Sequence, residues 1–178
     1  MSTDYMLEVL EASDPPRLVR FQPEFRGSER ERRMVSLSPD IHEWLMRSVQ
    51  TDAHIRLKAA VKIHFAQFVK GEEIDDLDYM KRVSDRRRGG EDFSSEIWSV
   101  RPDFNPRHRF FGAFFREDWL VLLTKKPRDA LKRDEHWHAQ IDAVCRIWDD
   151  LFPYRPRHIG DAITDYVTFN AEHRDDRW

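Results

Sequence analysis

The stretch EIWSVRPDFNPRHRFFGAFFREDWLVLLTKKPR, Glu96 to Arg128, decides the fold. It separates into three consecutive strands: Ile97 to Arg101, His108 to Arg116 and Trp119 to Thr124. Period-two alternation and aromatic and β-branched residues mark the strands, and polar breaks at Pro102 to Pro106 and at Glu117-Asp118 divide them. Such spacing predicts an antiparallel meander with basic residues at its strand ends.

Outward from the meander, the upstream chain reads as helices laid against that sheet. Met34 to Leu37 is a short apolar strand, and Ser38-Pro39 is an N-cap followed by proline at the first helical position. Ile41, Trp44, Leu45 and Val49 fall at helical spacing, giving a helix from about Pro39 to Gln50. Asp52 starts a second helix in which Leu57, Val61, Phe65 and Phe68 share one face, and Gly71 stops it. The short break between the two helices makes a helical hairpin. Leu77 to Val83 reads as extended and Asp85 to Asp92 as an exposed loop. Downstream, Asp134 opens a helix with the seam Trp137, Ile141, Val144, Trp148 and Leu151, which Pro153 ends. A short helix is expected around Asp161 to Phe169.

The flanks are less patterned. Leu7 to Leu10 reads as a short helix, Leu18 to Phe21 as an edge strand, and the run Glu29 to Arg33 as a solvated charged segment. The expected organisation is therefore an N-terminal extension over 1–32, one domain over 33–152 and a C-terminal extension over 153–178. Its class is α+β: a helical hairpin packed on a three- to four-stranded, mainly antiparallel sheet, with a C-terminal helix.

Composition limits the partners. The 178 residues are 40% hydrophobic and 12% aromatic, enough for one core. A 35% charged fraction and a mean hydropathy of -0.75 indicate a polar surface. No run approaches the roughly 18 apolar residues of a membrane span, and the N-terminus lacks the order of a signal peptide, so a cytoplasmic location with no membrane partner is expected. A single cysteine, Cys145, permits no internal disulfide. The net charge of -3 hides an asymmetry: residues 81–133 carry 14 Lys/Arg against 8 Asp/Glu, whereas both flanks are acidic. A positive block centred on the sheet suits a polyanion.

A strand ending in Arg101, a strand opening with Arg109 and an aliphatic strand ending in Lys125-Lys126, set in the order strand, helix, helix, strands, helix, together resemble the RelE/ParE toxin superfamily, and within it the HigB-like, phage Gp49-like branch. The resemblance covers roughly Met34 to Phe152. It implies a toxin of a toxin-antitoxin pair: a metal-independent endoribonuclease that cuts messenger RNA, usually on the ribosome, and is held by a cognate antitoxin. The ParE kind implies the alternative, a non-catalytic binding module that inhibits a protein such as DNA gyrase.

Carried onto this chain, the resemblance points to Arg109, Lys125 and Lys126 as a phosphate site. Cleavage by a 2′-hydroxyl needs cations to stabilise the phosphorane and groups to move protons. Arginine meets phosphate oxygens bidentately, so Arg109 is the expected clamp, with Lys125 and Lys126 neutralising charge. His136 and His138 are the expected proton-transfer groups, because His108 points away from Arg109 by strand alternation. Arg101, Arg107 and Arg128 are the expected RNA-backbone contacts. No metal or cofactor is expected, since His136 and His138 lie about 200° apart on a helix. The plainer alternative is that Arg101 and Arg109 pair with Glu96, Asp103 or Glu117 and that the lysines guard a strand edge. His54 and His64 read as surface residues, and Trp98, Trp119, Trp137 and Trp148 as core. Oligomeric state is not legible from one chain.

Overall fold

The computed structural model describes residues 3–48, 51–75, 79–85, 93–168 and 170–172. The expected positions of Val49, Gln50, Leu77 and Phe169, and the expected loop after Asp85, lie outside the described residues. Elements follow in the order α1 (Thr3–Ala12), β1 (Val19–Arg20), β2 (Met34–Leu37), α2 (Pro39–Met46), α3 (Asp52–Lys70), β3 (Ile74–Asp75), β4 (Met80–Asp85) and β5 (Phe93–Val100). Then come β6 (His108–Arg116), β7 (Trp119–Pro127), α4 (Asp134–Leu151) and β8 (Ala171–Glu172). Among the described residues no helix is long and apolar enough to cross a membrane.

The helix ends follow their sequence signals. Ser38 accepts a hydrogen bond from the Ile41 N–H, and Pro39 opens α2. Gly71 closes α3 in the left-handed region at φ 79°, where a Cβ would be strained. At α4 the N-cap is Arg133, one residue before the expected Asp134, and it makes no side-chain cap.

The chain is α+β, with a sheet of six strands in the order β1-β2-β7-β6-β5-β4, wider than the three or four strands expected. β1 and β4 add its edges. β2 pairs with β7 in parallel, with Met34 opposite Trp119 and Leu37 opposite Leu122, and every other pair within this six-stranded sheet is antiparallel. Parallel pairing needs a long crossover, and the α2–α3 hairpin with the meander supplies it.

Both faces of the sheet are buried. Phe110, Phe114, Leu120 and Leu122 pack with Leu45, Leu57, Phe65 and Phe68 of the helical hairpin. Phe111, Phe115, Val121 and Leu123 face the other way, onto Ile141, Val144 and Trp148 of α4. Burying each such side chain is worth roughly 1.5–3 kcal/mol, so strand alternation fixes which face each helix covers. Both flanks enter this core: Leu10 and Leu18 lie on the α4 side, and Phe21, Ile163, Tyr166 and Val167 on the hairpin side. Within the charged run Glu29 to Arg33, Arg33 is 1% exposed, so the solvated reading fails there.

Candidate functional site

The start of β6 and the end of β7 bring the basic residues together. Arg109 stands opposite Lys126, Phe110 opposite Lys125 and His108 opposite Pro127. Directly opposed residues share a face, so Arg109 and Lys126 lie on the α4 side with Phe111. Lys125 lies on the hairpin side with Phe110; its Nζ is 2.9 Å from Asp40 Oδ2 and 5.8 Å from the Trp44 ring. The two lysines therefore do not converge on one phosphate site, because neighbours in a strand point to opposite faces. His108 also takes the hairpin face and stacks on Trp44, with ring centroids 5.6 Å apart.

Around Arg109 the positive charge accumulates. Burial first, and then the fields of Arg101, Arg128 and Arg107, push its guanidinium down to about 10, with Asp103 acting the other way. Arg109 donates to the His108 carbonyl at 3.1 Å. Arg101 extends the ladder beyond β5, its N–H donating to the Tyr79 carbonyl at 2.9 Å. The Arg128 N–H donates to the Arg107 carbonyl at 2.7 Å, and Arg107 sits 3.8 Å from Asp103. Like charges crowded at one sheet end destabilise one another, and an anion bound there would relieve them.

Beside this edge, between β4, β5 and the first turn of α4, lies a cavity of about 300 Å³. Its sheet wall carries Lys81, Ser99 and Arg101; its helix wall carries Asp134, Trp137 and His138. Lys81 pairs with Ser99 and Ser99 with Phe111, which sets all three in one row on the α4 face. The Arg82 guanidinium leaves by the opposite face, donating to the Gly160 carbonyl at 2.6 Å. Ser99 is 1% exposed and its Oγ has no hydrogen-bond partner among the described residues.

The expected residues thus divide. Arg101, Arg109, Lys126 and His138 share the α4 face, with Arg107 and Arg128 within electrostatic reach of Arg109. Lys125 stands on the other face, and His136 is half-exposed, 3.6 Å from Glu135 and outside the cavity lining. Sequence reasoning missed Lys81, Ser99 and Asp134 as cavity residues and placed Trp137 in the core, where it is only half-buried. The period-two match of Lys81 and Ser99 to the α4 face was available once the strand pairing was known. Among the described residues no group of three or more His, Cys, Asp or Glu could hold a metal ion.

His64 is a correction of a different kind. His54 is exposed as expected, but His64 stacks on Tyr79 with ring centroids 3.7 Å apart, and burial pushes its imidazole down to about 4. The unfolded chain therefore takes up the proton first as pH falls, so stability is full above pH 6.5 and declines towards pH 4, by about 3 kcal/mol across the window. Urea unfolding at pH 7 and pH 5 should show a steeper loss for the wild type than for His64→Phe. Equal slopes would rule this contribution out.

No family model matches the chain, and neither a curated protein nor a solved structure does.

Proposed function

We propose that the protein is a metal-independent endoribonuclease toxin of a toxin-antitoxin pair, acting on messenger RNA in the cytosol and held by a cognate antitoxin. The observation that carries this reading is that Arg109 and Lys126 stand opposite each other on one face of the sheet, within the field of Arg101, which shares a cavity lining with His138. The order strand, helical hairpin, antiparallel strands and helix, on which the resemblance to RelE and HigB proteins rests, recurs in the elements β2 to α4 and supports it.

In this reading Arg109 and Lys126 hold the scissile phosphate and stabilise charge on its non-bridging oxygens as the 2′-oxygen attacks. The attack forms a 2′,3′-cyclic phosphate and expels the 5′-oxygen. His138 moves a proton at one end of that exchange. Arg101, Arg107 and Arg128 follow the flanking backbone, an interaction that weakens with salt. Lys125 and His136 have no part in it.

Induced expression should arrest growth and fragment transcripts. Arg109→Ala should lower cleavage by the purified protein, with or without ribosomes, by about 100-fold, the usual loss for one donor to a developing oxyanion. Cleavage and toxicity unchanged by that substitution would remove the site. Growth arrest with intact transcripts would instead favour a binding module that inhibits a protein partner such as DNA gyrase.

A further inference from the structure

We infer that the cavity beside the cationic edge is a nucleobase pocket that selects guanine in single-stranded RNA. This rests on the RNA-directed reading above and adds to it the identity of the base. At about 300 Å³ the cavity lies at the small end of ligand sites, suited to a single base.

Trp137 supplies an aromatic wall. Its Nε1–H donates to the Leu131 carbonyl at 2.9 Å and its ring meets Phe111 edge-on, with centroids 5.5 Å apart, so its orientation is fixed. A fixed indole is a stacking surface for an unpaired base. Asp134, on the same helical turn, has no hydrogen bond or ion pair among the described residues and is free to accept. Its carboxylate would repel a phosphate, which argues against a second phosphate site.

Guanine alone presents two adjacent donors, N1–H and N2–H₂, on its Watson–Crick edge, matching the two oxygens of a carboxylate. Adenine and cytosine each set a ring-nitrogen acceptor beside the amino group, and uracil offers one donor between two carbonyls. The buried Ser99 hydroxyl, without a partner among the described residues, can donate to guanine O6 or N7. Arg101 and Lys81, on the sheet wall, suit the phosphates on either side of the base.

The test uses labelled 2′-fluoro octamers, which lack the attacking hydroxyl: octauridine, and octauridine with one central guanosine, adenosine or cytidine. The guanosine octamer should bind about tenfold more tightly than the other three, as one good bidentate pair allows. Asp134→Asn should erase that preference, bringing the guanosine octamer to the affinity of octauridine. Arg109→Ala should weaken all four and keep their ratio. Equal binding of the four by the wild type, or a preference surviving Asp134→Asn, overturns the guanine pocket and leaves the RNA reading standing. Failure to bind any octamer overturns both.

Discussion

Replacing Gly112 by valine is expected to leave the protein largely unfolded, with a loss of at least about 3 kcal/mol. A Cβ at Gly112 would stand 1.8 Å from the Val121 carbonyl oxygen and 2.8 Å from Leu122 Cα. Those are backbone atoms of a neighbouring strand and cannot swing aside as a side chain can. Ordinary overpacking costs about 1–3 kcal/mol because side chains absorb part of it; here the β6–β7 ladder itself would have to open. Gly112→Ala places the same Cβ and should also lower the urea midpoint. An alanine variant as stable as the wild type would refute the close approach of the two strands.

The same glycine governs the site. Between Phe111 and Gly112 the register shifts, with Phe111 opposite Thr124 and Gly112 opposite Leu122. That bulge sets Arg109 across from Lys126. A slip of one residue would put Arg109 across from Lys125 and place the guanidinium and the exposed ammonium on different faces. Partly folded Gly112 variants should therefore lose RNA affinity as well as stability.

What the sequence discloses follows how local each signal is. Ser38-Pro39 and Gly71 bound helices through contacts within a few residues, and β2, β6 and the seam of α4 are read from their own periodicity. The parallel pairing of β2 with β7 joins residues 85 apart, as Met34 opposite Trp119 shows, and no local pattern announces it. The separation of Lys125 from Lys126 was legible, because the alternation that turns His108 away from Arg109 turns the two lysines apart as well. Ser99 and His64 were not, since their burial depends on partners from distant elements: Lys81 and Phe111 beside one, Tyr79 over the other.

Arg33 is the clearest case of a residue whose role comes from distant chain, and its removal is the second large expected effect. Its guanidinium donates to the Glu72 carbonyl at 2.8 Å and to that of Phe68 at 3.4 Å, beyond the end of α3 and within it. Asp118, in the β6–β7 turn, lies 3.9 Å away, and the Phe68 ring 5.4 Å below. Burial pushes the Arg33 guanidinium down and the field of Asp118 acts the other way, so the buried cation depends on these partners to offset its lost hydration. Arg33→Ala removes the donor to the part-buried Glu72 carbonyl, opens a cavity and leaves Asp118 without its cation, a combination worth about 3–5 kcal/mol. For a chain of this length that corresponds to a fall in Tm of roughly 10 °C. Arg33→Met, which refills the volume without the charge, should recover part of the loss. Arg20 is the internal control: its ion pair with Glu31 is about a third exposed, so Arg20→Ala should cost no more than about 1 kcal/mol. Arg33 precedes β2, whose Met34 pairs with Trp119 at the opposite end of β7 from Lys126. Folded Arg33→Ala protein at low temperature should therefore bind the guanosine octamer as the wild type does. A Tm shift for Arg33→Ala no larger than that for Arg20→Ala would overturn the assignment of Arg33 as a tie between α3, β2 and the β6–β7 turn.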